Sequence, residues 1–184
     1  MAHTQAYIGI LQRDRFYHIF NRAVGNELLF RSEENYRFFL EKYRTYLAES
    51  VETISYSLLP NHFHFFVRVN DETNVSTQWK RLFQSYALAY NLAYKRTGTL
   101  FERPFKRKEV NQNEHISRLI RYIHQNPQKH GYINDFKDWK WSSFNEAYGQ
   151  NCYRVTSKFT EDWFLSKSEF DSFHDFFETQ SSLE

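Results

Sequence analysis

The sequence predicts an α+β domain of the ferredoxin-like, split βαβ type, with a central antiparallel sheet and a C-terminal aromatic, helical extension. Three observations lead there. Strand-like and helix-like stretches follow one another in the order β-α-β-β-α-β-α. The turn-forming pair Pro60-Asn61 splits one apolar stretch into a hairpin. The 184 residues, 20% of them aromatic, suffice for one dense core but not for two full domains.

In chain order, "RFYHIFNRAV" from Arg15 is rich in β-formers and reads as a first strand ending near Asn21. "SEENYRFFLEKYRTYLAES" follows, with Ser32 as N-cap, acids in the first turn, and Tyr36, Phe39, Leu40, Tyr43 and Leu47 at helical spacing. "TISYSLLP" and "HFHFFVRV" are the two hairpin strands. The next stretch sets Val75, Trp79, Leu82, Phe83, Tyr86, Tyr90, Ala93 and Tyr94 on one helical stripe and closes at Gly98. "PFKRKEV" reads as a basic fourth strand. "NEHISRLIRYIHQNPQKHG" is a third helix, capped by Asn113, buried along Ile116, Leu119, Ile120 and Ile123, and stopped by Pro127. Beyond Gly131 the pattern changes to an irregular aromatic segment, "DFKDWKWSSF", and a short amphipathic helix, "SEFDSFHDFFETQ". Residues 1–132 therefore read as the domain, and 133–184 as an extension packed on it, with packing the expected role of Trp139, Trp141 and Trp163.

A formal net charge of +2 excludes a whole-molecule positive field, so a polyanionic partner must be held locally. Between Lys95 and Lys108 six basic residues, including Arg103, Lys106, Arg107 and Lys108, face the single acid Glu102 and interleave with Phe101 and Phe105. That patch suits a nucleic-acid backbone, with a solvated loop and edge strand as the alternative. Cys152 stands alone, which excludes an intramolecular disulfide framework. "MAHTQAYIGI" lacks a charged segment leading into an apolar one, and no apolar run approaches a membrane span. The expected location is cytoplasmic.

"HFHFF" carries the chemistry. On a strand, Phe63, Phe65, Val67 and Val69 share one face and make it the core face, so His62 and His64 project together from the other. They lie about 7 Å apart along the strand, close enough to converge on one ion. Imidazole suits first-row transition ions, whereas Mg²⁺ prefers oxygen. The third helix offers a further donor, because Tyr122 and Asn126 are four residues apart and share a face. An amide oxygen can ligate a metal, and a phenol beside it can be a nucleophile. The competing reading of each residue is packing, as for Tyr86, Tyr90 and Tyr94 on their buried stripe, and His18, His115, His124 and His130 are read as surface or packed histidines.

These residues resemble those of a known family. "HFHFF" is similar to the HUH motif, two histidines separated by a bulky hydrophobe, and "RYIHQNPQKHG" resembles the tyrosine helix of single-tyrosine HUH transposases, the IS200-like superfamily. "FYHIFNRAV", "LLPNHFHFFVRV", "GTLFERPFKRKEV" and "WKWSSF" look most like the REP-associated branch, and the likeness runs from about Arg15 to Phe144. The resemblance implies the HUH endonuclease fold and cleavage and rejoining of single-stranded DNA beside a palindromic hairpin. It implies Mg²⁺ or Mn²⁺ on His62 and His64, and attack by Tyr122 to give a 5′-phosphotyrosine and a free 3′-hydroxyl. It implies DNA contacts from the basic patch together with Arg118 and Arg121, and favours a monomer over a domain-swapped dimer.

One position departs from the pattern. In much of the family the third ligand is a Gln four residues after the tyrosine, whereas here that residue is Asn126 and Gln125 stands one place earlier. Helical rotation brings Asn126 to within about 40° of Tyr122 and leaves Gln125 about 60° off the other way, which favours Asn126. Two other classes compete: a hairpin-binding or RNA-recognition-like protein on the same fold, which needs neither the His pair nor the tyrosine, and a hydrolytic metallonuclease, which is indifferent to Tyr122→Phe.

Overall fold

Alternation along the two central strands orders the molecule. In the computed structural model of the chain, which describes residues 9–111, 113–146 and 159–175, the elements are β1 (Phe16–Arg22), α1 (Glu33–Leu47), β2 (Val51–Leu59), β3 (His62–Val69), α2 (Val75–Ala93), β4 (Lys106–Glu109), α3 (Asn113–Lys129), a 3-10 turn (Phe136–Asp138), α4 (Phe159–Trp163) and α5 (Lys167–Asp175). The four strands form one sheet in the order β2-β3-β1-β4, and each neighbouring pair is antiparallel. This is the split βαβ arrangement that the sequence predicts.

Each face of the sheet meets its own apolar cluster. Phe63, Phe65, Val67 and Val69 of β3 pack with Phe39, Tyr43 and Leu47 of α1 and Trp79, Leu82 and Phe83 of α2. Tyr43 stacks on Phe65 with ring centroids 4.3 Å apart. On the other face, Phe66 of β3 joins Ile116, Leu119, Ile120 and Ile123 of α3 and Phe136, Phe144, Phe164 and Phe170 of the C-terminal segment. A bulge between Thr53 and Ser55 of β2 lets Ile54 join this second cluster. The described part of the extension therefore packs on α3. Trp141 stacks on Tyr36 at 4.5 Å, while the Trp139 indole donates to the Leu58 carbonyl and that of Trp163 to Ser117.

Three helix boundaries differ from the sequence reading. Asn113 is the first residue of α3 rather than its cap. Pro127 does not stop α3, which continues to Lys129. A proline costs a helix one backbone donor and a steric clash, but here it falls in the last turn, where the true stop lies just beyond it. Gly131 takes φ +71°, its N–H bonds to the Gln128 carbonyl, and the Tyr132 N–H bonds to that of Pro127. That pair of bonds is a Schellman motif, which satisfies carbonyls that would otherwise be left open. α2 ends at Ala93, before Gly98, and Ala93 is exposed rather than on the buried stripe. The C-terminal helix is present over Lys167–Asp175, and its expected continuation to Gln180 lies outside the described residues.

Candidate active site

The register of β1 against β3 sets the stage. Opposite residues of an antiparallel pair share a face, and the pairs are Arg22 with His62, Phe20 with His64 and His18 with Phe66. All six side chains stand on the α3 face. His62 is partly exposed and His64 is 5% exposed; their ring centroids lie 5.2 Å apart with planes at 89°. Burial, followed by the neighbouring imidazoles of His18, His62 and His130, holds His64 well below the usual histidine range. It is neutral at ordinary pH, the form that can donate a lone pair to a metal.

The hydrogen bonds decide which nitrogens remain available. His62 Nδ1 lies 2.7 Å from Asn61 Oδ1, the shorter of the ring's two contacts with amide oxygens, which only accept, so the single proton of a neutral ring is assigned to Nδ1. His62 Nε2 lies 3.2 Å from Asn126 Oδ1. In a neutral His62 these two atoms face each other as lone pairs, an arrangement that a cation or an added proton relieves. His64 Nδ1 is bonded to His18 Nε2 at 2.9 Å, and His64 Nε2 is buried without a hydrogen-bond partner among the described residues. An orphaned nitrogen of this kind is costly unless something occupies it. The donor set fits a divalent cation: two imidazole nitrogens and one amide oxygen. No three His, Cys, Asp or Glu side chains gather as a metal cluster among the described residues.

α3 brings the tyrosine to the same place. The Tyr122 ring stands edge-on to His64 with centroids 5.5 Å apart and to His18 at 6.2 Å. Its ring also carries the Lys129 ammonium at 5.3 Å from the centroid, and Tyr122 is only 4% exposed. One turn on, Asn126 faces His62. Gln125 points elsewhere, its amide N–H donating to the His174 carbonyl of α5 at 2.9 Å. The 3.6-residue period separates the two amides as the sequence suggested. The whole constellation comes from β1, β3 and α3 of a single chain.

The basic residues divide between faces. Lys106 and Lys108 stand opposite Phe20 and His18 and so share the His face; the Lys106 ammonium lies 3.7 Å from Glu102 and 5.9 Å from the Phe20 ring centroid. Arg107 pairs with Ile19 on the other face, stacks on Phe105 and bonds the Gly9 carbonyl. Arg103 and Arg118 are exposed. Arg121 is buried against Phe173 of α5, with its guanidinium 4.7 Å from that ring centroid.

Sequence reasoning set His18 aside, and it missed Arg22. Both were signalled by strand alternation in "FYHIFNR", where every second residue from Phe16 belongs to the His face. His18 is 3% exposed and, through burial first and the Lys108 charge second, is pushed down to about 3. His130, T-shaped to His62 at 4.8 Å, and Tyr132, whose hydroxyl donates to Asn61, complete the rim. They had no periodic signal, because they follow the helix stop. His124 is buried in the extension interface and His115 is exposed.

Residues 17–126 match the family model described as "Transposase IS200 like". A Haemophilus influenzae chain assigned to the REP-associated tyrosine transposases is 28% identical over 123 residues, covering 61% of this chain and 66% of that one. The REP-associated tyrosine transposase of Escherichia coli is 21% identical over 105 residues, covering 56% and 61%. This chain thus spans somewhat less than two thirds of the length of these relatives. A solved structure of a REP-associated tyrosine transposase bound to a REP hairpin superposes with a TM-score of 0.64 at 17% identity, over 82% of this chain and 93% of that chain. The fold is shared.

Proposed function

This chain belongs to the IS200-like transposase family, and from that premise we propose that it cleaves and rejoins single-stranded DNA next to palindromic hairpins, through a 5′-phosphotyrosine intermediate. The observation that carries the proposal is the approach of His62 Nε2 to Asn126 Oδ1 at 3.2 Å beside a His64 ring 5.2 Å from that of His62 whose Nε2 is buried without a hydrogen-bond partner among the described residues, with the Tyr122 ring edge-on to His64. His62, His64 and Asn126 would hold Mg²⁺ or Mn²⁺. When bound, the ion supplies Lewis-acid polarisation of a phosphate oxygen.

Tyr122 is the nucleophile. Its oxygen bonds to phosphorus as the bond from phosphorus to O3′ breaks, and the proton lost by the phenol is balanced by one gained at O3′. One phosphate ester replaces another. The reverse attack by a 3′-hydroxyl therefore rejoins strands without ATP. Neither step calls for an activated water, and the near-complete burial of Tyr122 and His64 favours its exclusion. Lys106 and Lys108 on the His face are the first candidates for phosphate contacts, with Arg103, Arg118 and the more enclosed Arg107 and Arg121 behind them. In this reading residues 1–132 are the catalytic domain, 133–184 are an extension whose described part braces α3, and the protein acts as a monomer with the tyrosine in cis.

The test is a denaturing gel of the protein mixed with labelled hairpin DNA bearing single-stranded flanks and Mn²⁺. A slow, protease-sensitive band, lost in Tyr122→Phe and with chelator, is the expected result. Cleaved DNA without an adduct, still produced by Tyr122→Phe, would assign the reaction to water. Hairpin binding with no cleavage across a broad set of flanks would assign the protein to recognition alone.

A further inference from the structure

We propose that His18 is a positioning residue that holds His64 in the Nδ1–H tautomer and so leaves the Nε2 lone pair for a cation. The inference rests on the reading of His64 as a metal donor. His18 Nε2 and His64 Nδ1 lie 2.9 Å apart. Such a contact between imidazole nitrogens requires a proton on one and a lone pair on the other. If His18 supplied the proton, a neutral His64 would carry its own on Nε2, as a buried donor with no acceptor among the described residues. With the proton on His64 Nδ1, the bond to His18 is made and Nε2 needs no acceptor. It presents a lone pair instead.

The scaffold fixes His18 for this role. Its ring lies against both Phe20, at 4.6 Å and 27°, and His64, at 5.1 Å and 24°, which are themselves 5.9 Å apart, with Tyr122 edge-on at 6.2 Å. β1 and β3 place the two histidines diagonally across the ladder, since His18 pairs with Phe66 and His64 with Phe20. His18 thus acts through His64. His62 has an analogous arrangement, with Asn61 Oδ1 fixing the proton on Nδ1. The two imidazoles are oriented by two different neighbours so that each offers Nε2.

Long-range ¹H–¹⁵N correlation spectra of ¹⁵N-histidine protein without metal would read the His64 tautomer directly in wild type, His18→Phe and His18→Gln. Mn²⁺ affinity would be measured in parallel by the free-ion electron paramagnetic resonance signal. The expected wild-type tautomer is Nδ1–H. Phe keeps the stacking but removes the acceptor, so His18→Phe should shift His64 toward Nε2–H and weaken Mn²⁺ binding by about tenfold or more. Gln retains an acceptor oxygen and should restore both. A wild-type His64 in the Nε2–H form, or a His18→Phe protein with unchanged tautomer and affinity, overturns the proposal. Should His18→Phe fail to fold, the wild-type tautomer and His18→Gln decide it. Absence of Mn²⁺ binding by wild type would overturn the metal reading, while the metal-free tautomer comparison would still uphold or overturn the control of His64 by His18.

Discussion

Lowering the pH from about 7.5 to about 4.5 should destabilise the protein by on the order of 2 kcal/mol through the buried His174 and its partner His124. The reason lies in a one-way chain of hydrogen bonds that ties α5 to α3. The Tyr56 N–H donates to Ser143 Oγ at 2.8 Å, and Ser143 lies 2.8 Å from His124 Nε2. His124 Nδ1 lies 2.8 Å from His174 Nε2, and His174 Nδ1 lies 2.7 Å from the Phe170 carbonyl. That carbonyl can only accept, so His174 is protonated on Nδ1, receives at Nε2 from His124 Nδ1–H, and leaves His124 Nε2 to accept from Ser143. Both rings are neutral, and a further proton on His174 Nε2 would face the His124 Nδ1–H. Burial, the leading cause, takes His174 down to about 4, and burial with His174 nearby holds His124 well below the usual range.

The sign follows from linkage. These groups bind protons more readily unfolded than folded, so their contribution is complete above the free histidine value near 6.5 and is lost as the pH falls toward the folded values. Between about 6.5 and about 4 the loss approaches 1.4 kcal/mol per pH unit for His174, and His124 adds to it in the same direction. The assay is urea unfolding at a series of pH values in wild type and in His174→Phe, which fits the aromatic surroundings of Phe144, Phe164 and Phe170. The variant should show a pH dependence shallower by on the order of 2 kcal/mol across the window. Parallel curves for the two proteins would refute the argument.

Four further outcomes are expected. Tyr122→Phe should abolish the covalent adduct yet leave hairpin affinity within about twofold and stability within about 1 kcal/mol, as gel, titration and denaturation would show. Lys106→Gln combined with Lys108→Gln should flatten the logarithmic salt dependence of binding by about 0.7 for each phosphate left without its lysine; Arg107→Gln, on the opposite face, should change it less. Phe65→Ala, at a site with 0% exposure between Tyr43, Tyr56 and Trp79, should cost about 3 to 5 kcal/mol in chemical denaturation. Gly131→Ala should cost about 1 kcal/mol through its φ of +71° alone, because a Cβ there meets no atom within 4 Å.

Much of this molecule was legible because its periodicities are undiluted. Alternation in "HFHFFVRV" separated core from site, and the stripe Ile116, Leu119, Ile120 and Ile123 gave α3 its buried face; both signals are local and need only the geometry of one element. The same helical rotation put Asn126, not Gln125, toward His62. Other features arose only when the elements came together. Pro127 reads as a stop, yet the Schellman closure at Gly131 carries α3 past it to Lys129. His18 reads as one more surface or packed histidine until the β1–β3 register sets it against His64. The basic run on β4 reads as one patch, but its pairing with β1 sends Lys106 and Lys108 to the His face and Arg107 away from it. Which side chains each element presents is a local matter, because backbone geometry dictates a period of 2.0 or 3.6. Which of those side chains meet depends on strand register and helix docking, and these are set by burying two apolar clusters at once on opposite faces of one sheet.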